Sequence, residues 1–285
     1  MGRQAHHHFI PSSYLKGFTL EGKDTSPFWC VPNNNDVPFR TKPKDACSKR
    51  DYYKIEHDNS LLVEHWYANE IEPKINIALQ HIKRYEELPS NSDFSNLILL
   101  LATLYLRNPS QRASIEEPLM RTKEIVDNIS DEVKVSNRDE FEYSQTDLIK
   151  AELNLIDKVM ECLSNKYYQL HVIGESGLDF ITSDRPFLLS HPNGGRGFYF
   201  GLNTPNIEIW VPINRKAILI ARNEPFIEGV FKAHEKLIGL ANTKLIMSSN
   251  RFFFASKPEV ALVDDEINVY KHDVCSNKAL KGASC

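Results

Sequence analysis

The feature that most limits how this chain can fold is a change of hydrophobic rhythm near Tyr168. Before that point, apolar residues recur at helical spacing from Leu61 to about Glu86, from Phe94 to Leu106, from Pro118 to about Ile129 and from Asp147 onward. In the last of these, Ile149, Leu153, Ile156, Met160 and Leu163 share one face of an amphipathic helix. Pro73 should start, kink or divide the first helix, and the second should end near Asn108–Pro109, because a residue before proline avoids the helical region. The charged stretch "SDEVKVSNRDEFEYSQ" reads as a solvated connection. After Tyr168 come short β-prone runs: Phe180–Ser183, "FYFGL", "IEIWVPI" and Ala217–Ala221, punctuated by turns such as "HPNGGRG". One more helix is expected from about Pro225 to Ser248, followed by the strand "RFFFAS".

Helices first and strands second define an α+β protein. The expected organisation is a single domain over residues 1–285. It would have an irregular N-terminal segment with short strands to residue 60, a helical part to 170, and an antiparallel β-rich part from 171 with a closing helix. The longest apolar run, Leu97 to Leu106, is about half of what a bilayer span needs and reads as a buried helix, so no membrane partner is expected. A formal charge of −4 argues against a whole-surface nucleic-acid binder while permitting a local basic groove. "FRTKPKDACSKRDYY" is one such stretch, with five Lys/Arg and the aromatics Phe39, Tyr52 and Tyr53 interleaved. It suits either a single-stranded nucleic acid or an ordinary solvated loop. The five cysteines are scattered and never in a C-x-x-C pair, as expected of structural thiols. The N-terminal residues lack the apolar stretch of a signal peptide, so a cytoplasmic location is the expectation.

Near the N-terminus stands "QAHHHFIPSSYLKGF". Three histidines run directly into folded-looking sequence, unlike a tag with its linker. In an extended segment only His6 and His8 would share a side, and no close ligand spacing supports them, so no metal ligand is assigned. The apolar residues of this segment need burial, and the expectation is that it packs on the β-rich half.

"HHFIPSSYLKGF" resembles the signature of a bacterial family known as domain of unknown function forty-two thirty-eight, with His8, Pro11, Tyr14, Leu15 and Phe18 matching. The resemblance continues at Tyr53 of "CSKRDYY", Glu64 and Glu72 of "VEHWYANEIEPKINIAL", and Arg107, Pro109 and Arg112 of "LYLRNPSQR". It extends through Ser183, Asp184 and Pro186 of "FITSDRP", Pro212, and Asn242 and Arg251 near the end. Asn108 departs from the Thr or Ser that members often carry. The resemblance implies no established activity, and a link to toxin or phage-defence settings comes only from the family's context.

The matched polar residues form a chemical kit. Histidine moves a proton near neutral pH, a carboxylate can fix its tautomer, and arginine clamps phosphate. The expected function is hydrolysis of a phosphodiester or nucleotide, an RNA-directed nuclease of toxin or phage-defence type being the specific form. His8, Asp184 and Glu72 would be catalytic, and Tyr14, Tyr53, Arg107, Arg112 and Asn242 would bind substrate. The alternative is a non-catalytic small-ligand sensor or interaction protein whose polar residues are structural. His8 would then bridge a backbone carbonyl, Asp184 would hold an Asx turn, and Glu64 and Glu72, about 80° apart on a helix, would pair with arginines. The cofactor, any metal requirement and the oligomeric state are unknown from the sequence, and nucleic acid or nucleotide is the expected partner class.

Overall fold

The computed structural model describes residues 6–34, 36–57, 59–90, 92–128, 144–175, 177–192 and 200–276. The strands are β1 (His6–His8), β2 (Phe28–Pro32), β3 (Phe39–Thr41), β4 (Ser48–Arg50), β5 (Tyr167–Val172), β6 (Thr182–Ser183) and β7 (Leu188–Ser190). They continue with β8 (Glu208–Asn214), β9 (Ala217–Arg222), β10 (Gly229–Lys232), β11 (Phe252–Ala255), β12 (Glu259–Val263) and β13 (Val269–Asp273). The α-helices are α1 (Ser12–Leu15), α2 (Leu62–Trp66), α3 (Glu72–Tyr85), α4 (Ser92–Leu106), α5 (Pro109–Asp127), α6 (Gln145–Ser164) and α7 (Glu235–Ser248). Helices dominate the first half and strands the second, so the protein is α+β.

Helix α4 is the centre of the helical half. Its residues from Leu97 to Leu104 are all buried, as a helix that is apolar all round must be, and it packs between α3 and α6. Helix α6 begins with a reciprocal capping box between Ser144 and Asp147. In the β-rich half a five-stranded sheet has the order β10-β5-β9-β8-β7, antiparallel except for the parallel β10–β5 pair. A four-stranded antiparallel sheet has the order β3-β2-β11-β6, which pairs residues 28–41 with strands far along the chain. Two-stranded ribbons β1–β4 and β12–β13 complete the sheets. The largest buried apolar cluster runs from Phe9 to Phe254 and draws on both halves.

The N-terminal motif straddles them. Tyr14 donates to the Pro212 carbonyl at 2.7 Å and lies 2.9 Å from Thr182 Oγ1, while Arg215 N donates to Gly17 O at 3.0 Å. The segment therefore does dock on the β-rich half, and α1 also touches α3.

Several element boundaries differ from the sequence reading. Helix α5 starts at Pro109, well before Pro118. Asn108 Oδ1 accepts from Ser110 N at 2.9 Å, so "NPS" is an N-cap followed by a proline in the first turn, where its missing N–H costs nothing. The stretch before α7 is strand β10, whose Gly229 has φ 135°, and the helix begins only after His234 caps Leu237 N. Strands β5, β7, β12 and β13 were not expected. Of "FYFGL", residues 198 and 199 lie outside the described residues and residues 200–202 are not in a strand, while "SDEVKVSNRDEFEYSQ" lies largely outside the described residues.

Candidate functional site

The segment before α3 sets the site. Residues Tyr67–Ile71 form a π-helical turn between α2 and α3, with Pro73 in the first turn of α3. On a regular α-helix Glu64 and Glu72 would diverge by about 80°. A π turn carries more residues per revolution, so the eight steps approach two whole turns and both carboxylates come to one side. That side faces Arg107 at the end of α4. Arg107 Nη1 lies 3.7 Å from Glu72 Oε1.

Arg107 is wholly buried. Its Nε donates to Tyr53 Oη at 3.2 Å, its Nη2 donates to the His8 carbonyl, and its guanidinium lies 4.0 Å from the Tyr67 ring centre and 4.9 Å from that of Tyr53. Burial works against its charge, but Tyr53, Tyr67 and Glu72 outweigh that, and the guanidinium is held above its usual value. Its Nη1 has no hydrogen-bond partner among the described residues. Glu64 is similar: its Oε2 is buried without a partner, and burial, reinforced by Glu72, pushes its carboxyl up while Arg107 restrains the rise.

Strand alternation places the histidines. His6 is exposed, His7 buried and His8 half-buried, so neighbours do face opposite ways. His8 Nε2 lies 3.0 Å from the Lys44 carbonyl, which can only accept; Nε2 therefore carries the proton. Burial pushes the imidazole below its ordinary value, against the Lys44 carbonyl and Glu72. His7 Nδ1 accepts from Tyr53 N at 2.8 Å, and its buried Nε2 has no hydrogen-bond partner among the described residues.

A second layer lies behind. Arg112 Nη2 donates to Glu152 Oε2 at 2.7 Å and Nη1 donates to Tyr52 O at 3.0 Å. Glu152 Oε1 accepts from Tyr53 Oη at 2.8 Å and from Tyr67 Oη at 3.5 Å. Arg112, expected to bind substrate, is thus committed to a buried ion pair. Tyr52 and Tyr53 are buried too, so the interleaved aromatics of "FRTKPKDACSKRDYY" are core residues, and of its rings only Phe39 is exposed.

The remaining expected site residues lie elsewhere. Asp184 Oδ1 accepts from Asn250 N at 2.8 Å, and Oδ2 accepts from Arg251 N at 2.8 Å and Phe252 N at 3.2 Å. It does not cap its own turn; it pins a distant one. Burial pushes its carboxyl up, and the three amides pull it back. No hydrogen bond or ion pair joins it to His8 among the described residues. Asn242 accepts from Ile181 N at 3.0 Å and donates to Asp179 O and Ala261 O. Tyr14 is held by Thr182 and Pro212. The structure therefore brings together His8, Glu72, Arg107 and Tyr53, backed by Arg112, and leaves Asp184, Asn242 and Tyr14 as separate anchors.

Sequence reasoning gave no site role to His7, Tyr67 and Glu152. Glu152 had a signal: it sits between Ile149 and Ile156 in the apolar stripe of α6, where a carboxylate needs a buried partner. Among the described residues, no three His, Cys, Asp or Glu side chains converge to hold a metal ion. Burial pushes the Cys30 thiol up to about 12 and Cys47 well above its ordinary value, which keeps both protonated.

The family described as protein of unknown function (DUF4238) matches residues 6–274. The chain belongs to that family. Among curated proteins and among solved structures, nothing matches it. The matched span contains every residue of the His8–Glu64–Glu72–Arg107 cluster. No helix of the described residues is long and apolar enough to cross a membrane.

Proposed function

We propose that this protein hydrolyses a phosphodiester or nucleotide at the His8–Glu64–Glu72–Arg107 cluster, with RNA as the first substrate to test. One observation supports it above the others: a π turn aligns two carboxylates with a buried arginine whose Nη1, 3.7 Å from Glu72 Oε1, makes no hydrogen bond among the described residues. In the reaction, neutral His8 or Glu72 takes a proton from water as its oxygen attacks phosphorus. Glu64, held toward its protonated form, gives a proton to the departing ribose oxygen. Arg107 Nη1 stabilises the negative charge on the phosphoryl oxygens. Asp184 takes no part in this version. A role in toxin action or phage defence belongs to the same proposal.

The rival reading, a non-catalytic ligand sensor, draws support from the saturated anchors Asp184 and Asn242 and from the buried Arg112–Glu152 ion pair. The two part on one experiment. Purified protein is incubated with single-stranded RNA, single-stranded DNA and bis(p-nitrophenyl) phosphate, with and without divalent cations. We expect cleavage of at least one, with His8→Gln and Glu72→Gln each lowering kcat about a hundredfold at unchanged melting temperature. No cleavage of any substrate, or full activity in both variants, would favour the sensor.

A further inference from the structure

A cavity of about 260 Å³ lies between the N-terminal motif, the C-terminal part of α3 and the β8–β9 hairpin. Lys83 on its wall and Glu72 in the first cluster are eleven residues apart on α3, about 16 Å along the helix axis, so the two places are separate. The floor is apolar, built by Leu79, Ile82, Val172 and Ile213.

The rim is charged, and its accounts do not balance internally. Arg215 Nη1 and Lys216 Nζ are taken by Asp179, at 2.9 and 2.8 Å. Glu21 is paired with Lys23 at 3.2 Å. Among the described residues, Lys16 and Lys83 line the cavity with no acid within 4.0 Å, against one acid without an ion pair, Glu86. Ser13 also lines it, and its hydroxyl oxygen is buried with no hydrogen-bond partner among the described residues. Glycines make the walls close. A Cβ on Gly17 would lie 3.0 Å from Asn214 Cβ, and one on Gly22, where φ is 68°, would lie 2.9 Å from Lys83 Nζ.

We infer that this cavity binds a small organic anion, an apolar ring or chain of about six to ten heavy atoms carrying a phosphate or carboxylate head. The apolar floor would bury the body, Lys16 and Lys83 would meet the head, and the Ser13 hydroxyl would complete its hydrogen bonds. Enclosed pockets for such ligands are lined in this way, apolar with a few convergent polar groups. The cavity does not depend on the hydrolytic proposal and shares no residue with that cluster.

The probe is phenyl phosphate, titrated calorimetrically into the full chain and followed by amide chemical shifts. The expected result is binding with shifts at Gly17, Gly22 and Lys216. The affinity should fall at least tenfold in Lys16→Glu/Lys83→Glu and stay unchanged in Glu72→Gln. Benzyl alcohol and inorganic phosphate, which carry only the body or only the charge, should each bind at least tenfold more weakly. Absence of binding by phenyl phosphate, shifts confined to the His8 cluster, or equal affinity in the charge-reversed variant would overturn the inference. If the double variant does not fold, Lys83→Glu alone decides, because Lys83 is exposed and makes no ion pair among the described residues.

Discussion

The polar atoms around Arg107 and those around Asp184 and Asn242 are both hidden from water, yet their hydrogen-bonding capacity is used differently. Around Asp184 and Asn242 the partners are backbone amides and carbonyls, and the side chains are filled: two carboxylate oxygens for three N–H groups, one carboxamide for three backbone groups. Around Arg107 the partners are a mixture of side chains and backbone groups, and His7 Nε2, Glu64 Oε2, Arg107 Nη1 and Arg112 Nε have no hydrogen-bond partner among the described residues. Native proteins rarely leave such groups unpaired, and where they do a ligand, a water or a chemical role is the usual reason. The filled centre fixes loops; the unfilled one is where chemistry can happen. Asn108 joins them, donating to Asp184 O at 2.9 Å from the residue next to Arg107.

The sharpest way to break this contrast is Glu152→Ala. It strands Arg112 and two tyrosine hydroxyls in the core, and a urea denaturation curve should show a loss of about 3–5 kcal/mol, as when one partner of a buried ion pair is removed. A loss below about 1 kcal/mol would mean that this second layer holds little. Next is Asp184→Asn, which turns one acceptor oxygen into an NH₂ group facing backbone donors. We expect about 1–3 kcal/mol of destabilisation and unchanged activity per folded molecule. A stable variant with lost activity would move Asp184 into the site. Tyr14→Phe should cost about 1 kcal/mol, the worth of a typical hydrogen bond, in the same denaturation experiment.

The smallest effect is one of slope. Burial holds His7 below its ordinary value, so as the pH falls the unfolded chain takes up the proton first. The stability contributed by the neutral ring is full above about pH 6.5 and is lost as the pH falls through the folded value. Asn at position 7 can still accept from Tyr53 N through Oδ1 but does not titrate. Melting temperatures between pH 7.5 and 5.5 should therefore fall less steeply in His7→Asn than in the parent. Parallel curves would show that His7 is not the titrating group.

Much of the helical half was legible. The buried run Leu97–Leu106, the amphipathic face of α6 and the break at Pro73 follow from residue periodicity, which local backbone geometry obeys. The boundaries that failed did so for local reasons with distant causes. Strand β10 forms because β5 offers it an edge, a pairing across about 60 residues that no window reveals. The site was half legible. His8, Glu72, Arg107 and Tyr53 were chosen and do meet, while Asp184 was chosen for standing after a strand, and its carboxylate turned to amides at Asn250–Phe252.

What the sequence determined by itself is the rhythm of elements and the kinds of group available for chemistry, because both depend on neighbours within a few residues. Which of those groups stay unsatisfied was decided only by tertiary structure. A carboxylate is the same acceptor at Glu64 and at Asp184; burial beside Arg107 or beside three amides, brought there from positions more than forty residues away, makes one a candidate acid and the other an anchor.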